Sequence, residues 1–473
     1  MNSHYMYHMN PDNIDKFNAR IQNLDRTIRD RFECQLTMLR DQLSLSSENR
    51  YGMEIDPDQP AHEQIILQIF RDIGRCSEVG FISMQYVEDG NEIHLQELLF
   101  RGDIQKPMLT PSILLTYASF LGRIGIMHLL LRYNWPVDDH VQDDNKTALC
   151  WAASNNRVEA CRLLILYGAN INHKCEMGSS LFLLASANGA ACVMLQLLTD
   201  PNVDINQVED EGYGAVHEAV AFRMNNETIL ETQPLLLLLC LGARVNIFST
   251  DEMAYTPIHI ACLIVAHDPC TMLLTFGADP DLRDNMGNTA AHLISNWETP
   301  EDMHQDHTLQ SILISMLDLK KNMDISSRNH DGKTPAMIAA RNSVECPCDQ
   351  ILTTLCEKGA DMFVQDHSGS TVLHMLALSG RIQVIEVLLS RMYKRGLYSD
   401  EIKDQNGHTA LYIAKQRYIN NNHKNDLLVA ELFYMYSHEM KLHDWREKTR
   451  SGLKPECNNA VRNVRRRPHQ IKW

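Results

Sequence analysis

Two places in this 473-residue chain hold residue types that bind metal. His438-Glu439-Met440-Lys441-Leu442-His443 has the composition of a zinc-hydrolase helix. In such a helix the histidines stand four apart, so that one ion reaches both. Five apart, the two rings diverge by about 140° around the helix and cannot share an ion. Cys346-Pro347-Cys348, with Cys356 beyond, offers three thiols, but no second cysteine pair lies at zinc-finger spacing, so core and loop thiols are expected. A phosphate-binding P-loop, a dinucleotide glycine fingerprint and a nucleophile elbow are all missing. The expectation is a protein that is no enzyme, with no catalytic residue, metal or cofactor.

The remaining chemistry is charge. Formal net charge is −16, and from Lys441 onward ten Lys/Arg face three Asp/Glu, which leaves +7 on the tail and −23 on the body. A body of that sign repels nucleic acid, so direct nucleic-acid binding is not expected of it. Arg462, Arg465, Arg466 and Arg467 form a dense basic cluster with four readings open. It can be a nuclear import signal, a contact to a polyanion, a strap onto the acidic body, or solvated charge.

Composition sets the class. Hydrophobic residues make up 44% and charged residues 22%, which suits a folded chain rather than a disordered one. The 13 cysteines are odd in number and irregular in spacing, the pattern of reduced thiols rather than a disulfide frame. The start, Met-Asn-Ser-His-Tyr-Met-Tyr-His, carries no basic, apolar leader. The predicted location is the cytoplasm, with the nucleus open through the basic cluster. The longest apolar run, Leu235 to Leu241, is far short of the roughly 20 residues that cross a bilayer, so no membrane span is expected.

What positions these groups is a repeat. Thr256-Pro257-Ile258-His259-Ile260-Ala261-Cys262 leads to Leu273-Leu274-Thr275-Phe276-Gly277-Ala278-Asp279. The same string returns from Thr147 through Ala152-Ala153 to Gly168-Ala169-Asn170, and from Thr334-Pro335 through Ala339-Ala340 to Gly359-Ala360-Asp361. Its turn position falls at Thr147, Ser180, Gly214, Thr256, Thr289, Thr334, Thr371 and Thr409, with a degenerate copy placed at Ile113. A threonine hydroxyl caps a helix, and proline after it lacks an N–H that would go unpaired there. Small alanines let two helices approach, and glycine supplies the left-handed residue that ends the second. Asp284-Asn285-Met286-Gly287, Asp366-His367-Ser368-Gly369 and Asp404-Gln405-Asn406-Gly407 are turn sequences between units. One such unit cannot bury its own apolar faces, so the units must stack.

These segments resemble ankyrin repeats, eight in phase and a ninth degenerate. The resemblance implies an all-α ankyrin-repeat α-solenoid with short β-hairpin fingers, binding partner proteins through its concave groove and those fingers. Finger residues implied as contacts are Asp210, Tyr213, Asp251, Tyr255, Asp284, Asn285, Asn288, His330, Lys333 and His367. For Tyr213 and Tyr255, packing against the adjacent finger is an equal reading. The motif histidines His217, His259, His292 and His374 are expected to make a structural hydrogen bond. Leu198 precedes Asn206 by eight positions, a context similar to that of ankyrin asparagines hydroxylated by the oxygen-sensing hydroxylase, and Asn172 has a similar setting.

The resulting division is 1–60, a heptad-like amphipathic helix over 12–43 with a linker; 61–107, a helical cap; 108–437, the repeats; and 438–473, a largely disordered basic tail. Ile14, Phe17, Ile21, Leu24 and Ile28 open the heptad seam. The 12–43 helix fits packing on its own repeats, a homo-oligomeric coiled coil, or a partner helix. Three insertions, Arg223–Gln233, Trp297–His307 and Asn342–Cys348, fit either binding loops or tolerated surface. The function read from all this is a non-catalytic intracellular scaffold or adaptor. Two narrower readings stand beside it: a regulator like the NF-κB inhibitors, masking a transcription factor, and a substrate receptor of a ubiquitin ligase. Partners are therefore proteins of signalling, transcription or ubiquitin-ligase assemblies.

Overall fold

The structure is a computed structural model that describes residues 78–101, 111–140, 145–198, 200, 202–222, 233–296, 306–341, 349–394, 402–421 and 424–437. The 12–43 helix, the basic cluster, His438 to His443, the Cys346-Pro347-Cys348 segment and most of the three insertions lie outside the described residues. The chain divides into two compact units, Met1–Ile264 with Thr275–Ala278, and Val265–Leu274 with Asp279–Trp473.

Short helices in pairs make up the first unit: α1 (Glu78–Asp89) and α2 (Glu92–Arg101), α3 (Pro111–Leu121) and α4 (Ile124–Arg132), α5 (Ala148–Ser154) and α6 (Val158–Leu166). Then follow α7 (Leu181–Ala187) and α8 (Ala191–Leu197), α9 (Ala215–Ala221) and α10 (Gln233–Leu241), and α11 (Pro257–Leu263). First helices stack in a row, α1 on α3, then α5, α7, α9 and α11; second helices α2, α4, α6, α8 and α10 form the neighbouring row. The second unit holds α12 (His267–Thr275) and the pairs α13 (Ala290–Ser295) with α14 (Asp306–Leu319) and α15 (Pro335–Arg341) with α16 (Asp349–Lys358). The pairs α17 (Val372–Ser379) with α18 (Ile382–Lys394) and α19 (Ala410–Asn421) with α20 (Lys424–Ser437) complete it. Here too α13, α15, α17 and α19 stack in order beside α14, α16, α18 and α20.

The expected side-chain caps form at the starts of α5 and α7. Thr147 and Ser180 accept from the backbone N–H of Cys150 and Leu183, and Gly168, Gly242, Gly277 and Gly359 take positive φ after second helices. Alanine lets the helix rows close up: Ala152, Ala153, Ala261, Ala290, Ala291, Ala339 and Ala340 are fully buried. Ile113 is not a turn residue. It is buried inside α3, whose start at Pro111 puts the turn before that proline, which the degenerate sequence concealed. Arginines supply a link the sequence reading did not anticipate. Arg157 Nε donates to the Phe120 carbonyl at 3.2 Å and Arg381 Nη2 to the Ala339 carbonyl at 2.6 Å, each capping a helix of the preceding pair.

Among the described residues the hairpins form no sheet, only the isolated bridges His140–Thr147, Lys174–Ser180 and Val208–Gly214. The turns are instead closed by side chains. Asp284 Oδ1 accepts from the N–H of Met286 and of Asn288 (2.9 and 2.7 Å). Asn329, Asp366 and Asp404 repeat the arrangement in the following fingers.

Candidate functional site

In three repeats a buried histidine ties one finger to the next. In the first unit the Gly214 N–H donates to His217 Nδ1 at 3.0 Å, and His217 Nε2 meets the Tyr255 carbonyl at 3.1 Å. In the second unit His292 links the Thr289 N–H to the Lys333 carbonyl, and His374 links the Thr371 N–H to the His408 carbonyl, every distance 3.1 Å. One nitrogen accepts and the other donates, which requires the neutral ring protonated at Nε2. Burial pushes His217 and His292 down to about 4 and lowers His374 as well. These rings are structural clamps.

Tips are joined by single backbone hydrogen bonds. In the first unit the Asp210 N–H donates to the Met177 carbonyl at 3.0 Å and the Thr250 N–H to the Glu211 carbonyl at 2.6 Å. Tyr213 lies edge-on to His217, with centroids 5.5 Å apart, and its hydroxyl donates to Asp251 Oδ2 on the next finger at 2.7 Å. Burial, together with that carboxylate, raises the Tyr213 phenol to about 12. Burial pushes Asp251 up, but hydrogen bonds from Ser249, Tyr213 and the N–H groups of Ala254 and Met253 outweigh it and hold the carboxyl below its ordinary value. Tyr255 is half-buried, its ring 6.1 Å from His259. The geometry of both tyrosines is that of packing within and between fingers. Asp210, Glu211 and Glu252 are exposed at the tips, and Glu209 is raised by burial and by the charges of Glu211 and Asp210.

In the second unit the His330 N–H donates to the Met286 carbonyl (3.0 Å), the His367 N–H to Asp331 (3.2 Å), and the Gln405 N–H to Ser368 (2.9 Å). Asp284 is buried, with both carboxylate oxygens spent on its own turn. Asn288 accepts from Asn329 Nδ2 at 2.9 Å, and Lys333 Nζ pairs with Asp331 at 2.8 Å. Asn285, His330 and His367 are exposed. The implied contact residues thus separate into those that build the fingers (Tyr213, Asp251, Asp284, Asn288) and those that face solvent (Asp210, Asn285, His330, His367).

The asparagines lie after second helices. Asn206 Oδ1 accepts from the Arg244 N–H at 2.8 Å, and the N–H of Asn206 donates to Asp204 Oδ1 at 2.9 Å. Asn172 is exposed, and its N–H donates to Asn170 Oδ1 at 3.0 Å.

One cluster escaped the sequence reading. Cys150, at the start of α5, has its sulfur 3.2 Å from that of Cys175 on the following finger, with His173 beside them. The hydrogen bond from Cys175, aided by Thr147 and opposed by burial, pulls the Cys150 thiol well below its ordinary value. Burial pushes nearby Cys161 up. The available signal was phase. Cys150 occupies the histidine place of its repeat, and His173-Lys174-Cys175 falls on the finger that this place faces.

Comparison with known proteins agrees with the repeat reading. A family profile described as Ankyrin repeats (3 copies) matches residues 83–175 and 303–396, and one described as Ankyrin repeat matches 255–285. The B-cell lymphoma 3 protein homolog of Mus musculus is 28% identical over 199 residues, 42% of this chain and 41% of the relative. Neurogenic locus notch homolog protein 1 of Homo sapiens is 28% identical over 165 residues, 35% of this chain and 6% of the relative. The match thus spans less than half of either relative. Among solved structures, the ankyrin repeat domain of Bcl-3, described as a unique member of the IkappaB protein family, aligns at 21% identity and TM-score 0.40. That alignment covers 50% of this chain and 96% of the other.

Proposed function

Because the chain is an ankyrin-repeat protein, and ankyrin repeats are protein-interaction modules, we propose that it is a non-catalytic scaffold or adaptor that takes partner proteins on its finger tips. The observation that carries this is a division of labour. Backbone links and side-chain-closed turns recur from finger to finger, with histidine clamps in three of the repeats, whereas the exposed tips differ in charge. Asp210, Glu211 and Glu252 make the tips of the first unit acidic; Arg328, His330, Asp331 and His367 make those of the second unit mixed. Exposed side chains at the tips present this difference in charge to a partner.

Affinity purification of the full chain from cells tests it. Replacing Asp210, Glu211 and Glu252 with Lys removes a subset of captured proteins while the melting midpoint stays put. A partner set indifferent both to that change and to His330→Glu with His367→Glu would sink the finger reading. A second reading is favoured by the acidic tips and the −23 body: a regulator that covers the basic surface of a transcription factor. Its mark is capture of transcription factors that weakens steeply as salt screens the contact. Asn206 and Asn172 are proposed as asparaginyl-hydroxylase acceptors. Peptide mass spectrometry after co-expression with that enzyme shows one added oxygen on each, and unmodified asparagine at both positions removes the proposal.

A further inference from the structure

In the repeats opened by Gly214, Thr289 and Thr371, the third helical residue is a histidine that reaches the carbonyl of the next finger. In the repeat opened by Thr147 that residue is Cys150. A thiol is too short and too weak a donor to make the same link. What it meets on the next finger is no bare carbonyl but a second thiol, Cys175, 3.2 Å away, and an imidazole, His173. The three ligand atoms lie within 4.8 Å of one another, with both cysteines buried and the histidine half-buried. His173 Nε2 is 2.7 Å from the Asn145 carbonyl, so Nε2 carries the proton and Nδ1 keeps its lone pair. Metal-binding histidines are oriented in this way, the nitrogen away from the ion donating to a backbone carbonyl.

We propose that Cys150, Cys175 and His173 bind a zinc-class divalent ion, which ties α5 to the next finger where the repeats of His217, His292 and His374 use the histidine clamp. Two thiolates and an imidazole are the donor set that selects Zn²⁺ over hard cations. Zinc–sulfur bonds of about 2.3 Å at the tetrahedral angle hold two sulfurs about 3.8 Å apart. The pair at 3.2 Å must open by roughly half an ångström, whereas a disulfide at about 2.05 Å demands a closure of more than an ångström. The nearer geometry is the metal's. Binding releases the two thiol protons to solvent, leaving neutral His173 as the third ligand and water in the fourth, outward position.

The test uses the full chain, purified reduced and stripped with a chelator. One equivalent of Co²⁺ should produce a thiolate-to-cobalt charge-transfer band that Zn²⁺ then abolishes, and Zn²⁺ alone should raise the melting midpoint. Cys150→Ser with Cys175→Ser loses both responses, and His173→Gln weakens binding by about tenfold or more. If the double serine variant does not fold, Cys150→His supplies the residue that four other repeats (His217, His259, His292 and His374) carry at this place and keeps the protein folded. It should bind with a weaker charge-transfer band, one thiolate having gone. Absence of the band in wild type, its survival in the double serine variant, or an unchanged band in Cys150→His would each overturn the assignment, as would a Cys150–Cys175 disulfide that forms in preference to metal uptake.

Discussion

His292 is buried and neutral, with both nitrogens engaged, and that single ring makes stability depend on pH. Its folded pKa of about 4, set by burial, lies below the ordinary 6.5. As pH falls through that window the unfolded chain takes up the proton first, so stability is full above about 6.5 and declines below it. The loss attributable to this ring is about 2 kcal/mol by pH 5. Urea midpoints measured from pH 7 to 5 should fall, and His292→Asn should flatten the slope. Glu218 in the first unit, raised to about 7 by burial and by Glu209, acts in the opposite sense: its contribution is present below about 4.5 and lost as pH rises through 7. A second residue-scale prediction concerns Gly287 and Gly407, which share a left-handed φ of +74° and +77°. A Cβ on Gly287 would stand 2.8 Å from the backbone nitrogen of His330, while one on Gly407 meets nothing within 4 Å. Gly407→Ala should cost about 1 kcal/mol of backbone strain, and Gly287→Ala that amount plus a displaced finger, about 3 kcal/mol in all. Equal melting shifts for the two variants would contradict the close approach.

At the scale of the element, stability resides in helix faces too short to stand alone. Helices α5, α7, α9 and α11 have seven residues each, below the length that is stable in water, so each is held by its neighbours. Ala261 on α11 is fully buried. Ala261→Arg places an unpaired charge there and should cost several kcal/mol, seen as a melting midpoint lowered by many degrees with secondary loss of partner capture. An unchanged midpoint would contradict the packing of α11. Fingers show the complementary economy. With only isolated bridges available, carboxylates such as Asp366 and Asp404 take over the donors that a longer ladder would satisfy.

For the whole molecule, the sign of charge along the sequence leads to a prediction about location. The tail from Lys441 holds ten basic residues beside a body of −23. Replacing Arg465, Arg466 and Arg467 with Ala should move a fluorescent fusion from nucleus to cytoplasm at unchanged thermal stability. A wild-type protein confined to the cytoplasm with nuclear export blocked would reject the import role. If the cluster instead straps the acidic body, the same change leaves location alone and raises protease sensitivity of the tail, and high salt reproduces that effect in wild type.

The periodic features of this protein were legible in its sequence because they are local: a capping threonine, a proline at the first helical position, paired alanines and a terminal glycine act within a turn or two of themselves. Their recurrence from Thr147 to Thr409 fixed the helix pairs and the stacking, since apolar faces so short must find partners in the next repeat. Degenerate copies were misplaced, as Ile113 was, because a single local signal without its companions does not set phase. Whether a finger residue faces a partner or its own protein was decided only in three dimensions. Asp210 and Asp251 are alike as turn aspartates in the sequence, yet Asp210 is exposed while Asp251 receives Tyr213 from a finger 38 residues away. The meeting of Cys150 with His173 and Cys175 has the same origin. Their separation along the chain follows no metal-site spacing, and only the stacking of one finger against the preceding helix start brings the three ligand atoms together.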